Sequence, residues 1–253
     1  MLARRGHILQ ARVHGSTPAP TARRRAFTLI ELLVVIAIIA LLVSILAPSL
    51  GHLKSTIKRI ICASDMRQLG IAWNAYTKAN GGSLVGSNTY WPWDWAGPWG
   101  DMQGGALYRY VGSPKVYYCT NPINPAYPIS YSIAGSLNGE RASRWTTLVG
   151  IPHPSAALMI IEEDDWRGYN VNSWMLVSID QWEDYVAGNH DDGDNLVFVD
   201  GHVEYWKWRE YNTLAFPHHN YDFFMPDPGN KDLTRLWRVW AGEPYAVSSY
   251  ANP

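Results

Sequence analysis

Residues 1–30 contain no aspartate or glutamate. The six arginines in that stretch, Arg4, Arg5, Arg12, Arg23, Arg24 and Arg25, stand unopposed, which is the charge pattern of a flank held on the cytoplasmic side of a membrane. Other shortages narrow the function. The sequence has no Gly-x-Ser-x-Gly, no His-Glu-x-x-His and no phosphate-binding loop, so the signatures of the common hydrolases and nucleotide enzymes are missing. An enzyme would have to rest on pairings such as His190 with Asp200, or His153 with the acidic run that starts at Glu162. Two cysteines among 253 residues allow one disulfide at most. Beyond residue 26 the chain keeps 15 of its 21 basic and all 22 acidic side chains, a formal charge of −7, which argues against a nucleic-acid partner. Phenylalanine is scarce, 5 against 13 tryptophans and 15 tyrosines, so the aromatic content is polar-tipped and suits a β-rich region. No internal repeat and no long low-complexity linker interrupts it.

What the sequence does have is one long hydrophobic run. From Phe27 to Ala47 the strongly polar interruptions are Glu31 and, more mildly, Thr28 and Ser44. A helix of about 20 apolar residues spans a bilayer core of about 30 Å. A secretory signal fits poorly, because Ile45-Leu46-Ala47-Pro48 is a weak peptidase site. Arg24-Arg25 could belong to a twin-arginine signal, but neither that nor a plain anchor gives a reason for Glu31. A carboxylate near the start of a membrane span is costly and points to a purpose.

Ala26 followed by Phe27-Thr28-Leu29-Ile30-Glu31-Leu32 and the apolar run to Leu46 resembles the type IV prepilin and type II secretion pseudopilin family. The resemblance implies that a prepilin peptidase cuts between Ala26 and Phe27 on the cytoplasmic side and methylates the new amine of Phe27. Alanine stands at position 26 where the family usually has glycine. The resemblance further implies that Glu31 acts in assembly with other pilin or pseudopilin subunits. Cutting before Phe27 creates a cationic amine in the same low-dielectric zone as the Glu31 carboxylate, and pairing there offsets part of the desolvation of both. The alternative is that Glu31 snorkels to the interface.

Past Pro48 and Gly51, Leu53, Ile57, Ile60, Ile61, Leu69, Trp73 and Tyr76 recur at helical spacings, with Lys54, Lys58, Arg59, Arg67 and Lys78 on much of the other surface. Asn80-Gly81-Gly82 is a stop signal. The pattern predicts one long kinked helix over residues 28–79, with a basic leader at 1–26, a transmembrane and assembly segment at 27–50, an amphipathic continuation at 51–80 and a β-rich domain at 81–253. Strands are expected at Lys115–Cys119, Ile129–Ile133, Ala156–Ile161 and Ser173–Ile179, and a short helix at 104–111. Residues 188–208 give the clearest hairpin, Leu196–Val199 and His202–Trp206 joined at Asp200-Gly201. The loop Tyr90-Trp91-Pro92-Trp93-Asp94-Trp95 reads as a cap over the domain's own core or as a platform for a glycan or protein partner.

A second resemblance, to a pseudopilin-like family abundant in planctomycetes, rests on His190, nine intervening residues and Asp200-Gly201, with Asn195, Phe198 and His202 also matching. It extends to Cys62-Ala63-Ser64-Asp65-Met66-Arg67-Gln68-Leu69-Gly70 and Tyr117-Tyr118-Cys119. Related major pseudopilins bind calcium in a C-terminal loop, so Asp191, Asp192 and Asp194 are weak metal candidates beside a plainer hydrogen-bonding role for His190. No other cofactor is expected. The run Glu162-Glu163-Asp164-Asp165 reads as a solvated turn. Cys62 and Cys119 are either buried thiols or a disulfide worth about 4 to 5 kcal/mol in the loop-closure model.

The expectation is a pilin-like α+β protein: a long N-terminal helix, its first half transmembrane, packed on a C-terminal antiparallel β domain. It is a noncatalytic subunit in the inner (cytoplasmic) membrane with its N-terminus cytoplasmic and its domain periplasmic or at the cell surface. The rival is a membrane-anchored binding module that does not polymerise.

Overall fold

The computed structural model describes residues 27–87, 94–97, 101–122, 129–139, 144–163, 173–218 and 224–242. The chain divides into two compact units, Met1–Pro48 and Ser49–Pro253. Helix α1 (Leu29–Ala79) supplies most of the described residues of the first unit and opens the second.

In the first unit Leu29–Ala47 is long and apolar enough to cross a membrane, and none of it is buried within the chain. Ser44 fits this run because its hydroxyl donates back to the Leu41 carbonyl at 2.7 Å, satisfying the polar atom inside its own helix.

In the second unit α1 buries Cys62, Met66, Leu69 and Trp73, a spacing of four, three and four that keeps them on one helical stripe. Leu53, Ile57, Ile60 and Ile61 belong to the same expected apolar face but are exposed. The helix is therefore covered by the domain over a shorter length than its periodicity suggests, because the apolar core begins at Cys62.

Five strands form the main sheet: β1 (Tyr131–Ala134), β2 (Leu158–Glu162), β3 (Ser173–Trp174), β6 (Gly193–Phe198) and β7 (Val203–Lys207), in the order β3-β1-β2-β6-β7. All neighbours run antiparallel except β1 and β3, which pair parallel. Strand β2 is apolar through Leu158-Met159-Ile160-Ile161 because both faces of the sheet are covered. Met159 and Val197 face α1, and at Gly70 a Cβ would meet Met159 Cε at 3.0 Å and Val197 Cγ1 at 3.1 Å, so the missing side chain sets how closely helix and sheet approach. On the other face Leu158, Leu196 and Phe198 pack with Trp174, Trp182, Trp206, Trp208 and helix α4 (Lys231–Trp240). A smaller antiparallel sheet, order β4-β5-β8, comprises β4 (Leu176–Ser178), β5 (Gln181–Trp182) and β8 (Met225–Pro226). Short helices α2 (Tyr108–Val111) and α3 (Tyr211–Ala215) complete the α-helices and strands among the described residues.

Several local expectations shift. Lys115–Cys119 is not a strand: Pro114, with φ preset for a helical start, opens a 3-10 turn over Pro114–Tyr117. Pro154 does the same over Pro154–Ala156, delaying β2 to Leu158. The strand expected over Ser173–Ile179 breaks at Met175, whose N–H donates to Asp184 Oδ2 at 2.7 Å instead of to a neighbouring strand, so β3 and β4 enter different sheets. The hairpin forms as expected, with Gly201 in the left-handed region at φ 92°.

Candidate functional site

Two places carry chemistry. The first is the start of α1. Thr28 precedes the first helical residue and its N–H and hydroxyl both donate to Glu31 Oε2, at 2.9 and 2.8 Å, while Glu31 N–H points back at Thr28 Oγ1 at 3.3 Å. This is a reciprocal capping box, in which two otherwise orphaned helix donors are satisfied by a threonine and a glutamate three residues apart. The Ser/Thr-x-x-Glu spacing was readable in the sequence and is a second, local reason for a carboxylate at position 31. Phe27 is exposed, and Ala26 lies outside the described residues.

The second place lies inside the domain. Cys62 comes from the buried stripe of α1, Cys119 from the segment after the 3-10 turn, Glu162 from the last residue of β2 and His190 from the turn before β6. Their side chains meet. Cys62 Sγ and Cys119 Sγ are 3.0 Å apart as two free thiols, Cys119 Sγ lies 3.4 Å from His190 Nε2, and His190 Nε2 lies 3.2 Å from Glu162 Oε1. All four donor atoms fall within 4.8 Å of one another and all four residues are buried. Backbone N–H groups serve both sulfurs: Thr120 donates to Cys62 Sγ and Asn121 to Cys119 Sγ, each at 3.3 Å. Asn121 then holds the surroundings together, its side chain donating to the Asn189 carbonyl and accepting from Lys58 Nζ, both at 2.8 Å.

Burial pushes the Glu162 carboxyl up, against the opposing hydrogen bond from His190. Burial alone would depress the His190 imidazole, but the adjoining Cys62 and Glu162 outweigh it and raise the group to about 10. Of the two sulfurs Cys62 ionises first, because the Cys119 thiol donates to it, while that same bond and burial raise Cys119. Glu162 Oε2 and His190 Nδ1 have no hydrogen-bond partner among the described residues. His190 also lines a cavity of about 120 Å³ with Ser55, Thr56, Arg59, Asp191 and Tyr205.

The sequence singled out Cys62, Cys119 and His190 separately, and the fold brings them together. Glu162 joins them in place of the solvated turn expected there: it is the last residue of a strand buried along its whole length, fully shielded from solvent. Glu163 accepts a hydrogen bond from Ser132, and residues 164 and 165 lie outside the described ones. His190 and Asp200 do not meet. They flank β6 at opposite ends, so the nine-residue spacing measures one strand with its approaches. Asp200 Oδ1 accepts from His202 N at 3.1 Å and contacts His202 Nδ1 at 2.5 Å, and the imidazole stacks on Phe198 with centroids 4.4 Å apart. Asn195 donates to the Arg59 carbonyl of α1 at 3.1 Å.

Asp191, Asp192 and Asp194 do not converge. Asp191 is exposed and faces Lys207 Nζ at 3.6 Å, whereas Asp194 is buried and accepts from Gly188 N, Asn189 N and Trp208 Nε1 at 2.9, 3.3 and 2.7 Å. Of the tryptophan-rich loop, Trp95 is fully buried and stacks on Tyr117 at 5.7 Å, and residues 91, 93 and 99 lie outside the described ones.

Neither the curated proteins nor the solved structures give a match to this chain. Residues 21–47, which include the capped start of α1 and its apolar run, match the family described as the prokaryotic N-terminal methylation motif.

Proposed function

We propose that the protein is a noncatalytic, prepilin-type subunit, processed at its N-terminus and assembling through α1 into a type IV pilus-like or type II secretion filament. The observation that carries this reading is the methylation motif at residues 21–47 joined to a span with an acid at position 31. Prepilin peptidase would cut between Ala26 and Phe27 and methylate the exposed amine. That amine emerges one residue before Thr28. Within a subunit Thr28 occupies Glu31 Oε2, so Oε1 is left to receive the amine of a neighbouring subunit, an ion pair that fixes axial register in a low-dielectric stack. The arginines before the span support a cytoplasmic N-terminus at the inner membrane, with the domain on the far side.

N-terminal mass spectrometry of the protein isolated from its membrane tests the processing step: a chain starting at methylated Phe27 supports it, and an intact Met1 leaves only an anchor. For assembly, Glu31→Ala is expected to insert into the membrane as the wild type does and to fall at least about tenfold in filament incorporation in sheared or cross-linked fractions, the loss of about 1.4 kcal/mol of contact. Incorporation at the wild-type level would refute the role of Glu31.

A further inference from the structure

We propose that Cys62, Cys119, Glu162 and His190 form a four-ligand site for one divalent, thiophilic metal ion of the zinc class, which clamps α1 to the β domain. The proposal stands on the domain alone and does not depend on how the N-terminal segment is processed.

The geometry comes first. Zinc bound by sulfur at about 2.3 Å and by nitrogen or oxygen at about 2.0–2.1 Å in a tetrahedron holds its ligand atoms about 3.3–3.8 Å apart. The Cys119–His190 and His190–Glu162 separations of 3.4 and 3.2 Å lie close to that range, the two sulfurs at 3.0 Å are closer together than it, and the donor atoms all sit within 4.8 Å of one another. Entry of an ion requires the two sulfurs to part by about 0.8 Å.

The donor chemistry selects the metal. Two sulfurs and an imidazole with a single carboxylate form a soft-to-borderline set that favours zinc, and calcium or magnesium would require an oxygen shell that the cluster does not offer. The second coordination layer is prepared for thiolates: each sulfur already receives one backbone N–H, from Thr120 and Asn121.

A buried atom without a partner gives the independent sign. Glu162 is fully shielded beside the buried Asp194 carboxyl, and its Oε2 meets the geometric criteria of no hydrogen bond among the described residues, an arrangement that costs free energy unless something else shares the lone pair. A cation that took the carboxylate through both oxygens would do so. A disulfide between Cys62 and Cys119 would use the two sulfurs and leave that oxygen as it is. Metal entry is redox-neutral: the thiol protons and the proton held between Glu162 and His190 pass to solvent, and the ion's two charges offset two of the three negative charges created.

Each ligand comes from a different piece of chain, so the ion would connect α1, the segment after residue 117, the end of β2 and the approach to β6. Metal binding then becomes folding free energy of the whole domain.

The test uses the full-length chain in detergent, isolated without reductant and again after reduction under anaerobic conditions. Elemental analysis is expected to find about one zinc per chain. Cobalt chloride added to metal-free reduced protein is expected to produce the thiolate-to-cobalt charge-transfer band and the intense visible bands of a tetrahedral site. Glu162→Gln, which preserves volume and leaves the cysteines intact, is expected to weaken zinc affinity at least tenfold while retaining the fold, and added zinc is expected to raise the melting temperature of the wild type more than that of Glu162→Gln. Cys62→Ser is expected to abolish the charge-transfer band. Absence of titratable thiols in the denatured, unreduced protein, which would signify a disulfide, overturns the proposal. So does reduced wild-type protein that gives no cobalt band and no zinc-dependent shift in melting.

Discussion

Glu162 and Asp232 are both carboxylates at the ends of strongly patterned segments, and their surroundings give them opposite tasks. Glu162 ends a buried strand with one oxygen on His190 and one that meets the geometric criteria of no hydrogen bond among the described residues. Asp232 sits in the first turn of α4, almost fully buried, and its Oδ2 accepts the backbone N–H groups of Arg209 and Glu210 at 2.7 and 2.9 Å. Burial raises the Asp232 pKa, and these two donors only partly oppose it. A carboxyl whose folded pKa exceeds its unfolded value binds more protons in the folded state, so its contribution is fully present below the unfolded pKa of about 3.9 and is lost as the pH climbs through the folded value. Asp232→Asn keeps an oxygen for the same two donors and removes the titration. The variant's stability relative to wild type is therefore expected to improve as the pH rises from about 3.9 through the folded value and to level off above it, measured by thermal melts from acid to neutral pH. A difference that is flat across the whole range or that narrows with rising pH would contradict this account. Neither acid could be assigned from its neighbours in sequence. The run Glu162 to Asp165 looks like a polar turn, and only the pairing of β2 between β1 and β6 buries its first member.

The elements show which local rules survive packing. Helix α4 has the marks of an isolated amphipathic helix: Asn230 caps it by accepting from Leu233 N–H at 2.9 Å, and Leu233, Leu236, Val239 and Trp240 line one buried face. Asn230 also donates to Asp227 Oδ2 at 2.7 Å and to Thr213 Oγ1 at 3.0 Å, so it binds α4 to two other segments. Asn230→Ala is expected to cost about 1–2 kcal/mol in chemical denaturation, the upper part of the range for N-caps, because it also strands buried partners. The β6–β7 hairpin makes a contrasting prediction. At Gly201 an added Cβ would meet nothing within 4 Å, so Gly201→Ala should cost only the backbone strain of a positive φ, about 1 kcal/mol, without loosening the core. A cost several times larger would mean that the turn is pinned by contacts beyond its own backbone. Where an expected strand is lost or cut short, a proline or a competing acceptor is responsible: Pro114 and Pro154 start 3-10 turns inside strand-like stretches, and Asp184 takes the Met175 N–H that would have continued a strand.

At the scale of the whole molecule the chain is two units with different surfaces. The exposed large aliphatic side chains crowd between Phe27 and Ile61, whereas both buried clusters lie within residues 62–241. Residues 49–253 are thus expected to fold without the first unit, melting cooperatively and with the same near-ultraviolet tryptophan signal as the full chain in detergent. A non-cooperative melt or a featureless aromatic spectrum would show that the span is needed for the domain to fold.

The sequence alone determined the capped apolar span, the length of α1 to Ala79, its glycine stop and the Asp200-Gly201 hairpin. Each of these is written in neighbouring residues, as a run, a period or a turn pair, and survives in any tertiary context. Tertiary structure decided which part of the helical stripe is covered, that β3 pairs parallel with β1, and that Cys62, Cys119, Glu162 and His190 share one buried centre. Those four lie as much as 128 positions apart in the chain. Their convergence depends on α1 crossing one face of a sheet whose strand order brings β2 beside β6, and local propensity carries no information about that order.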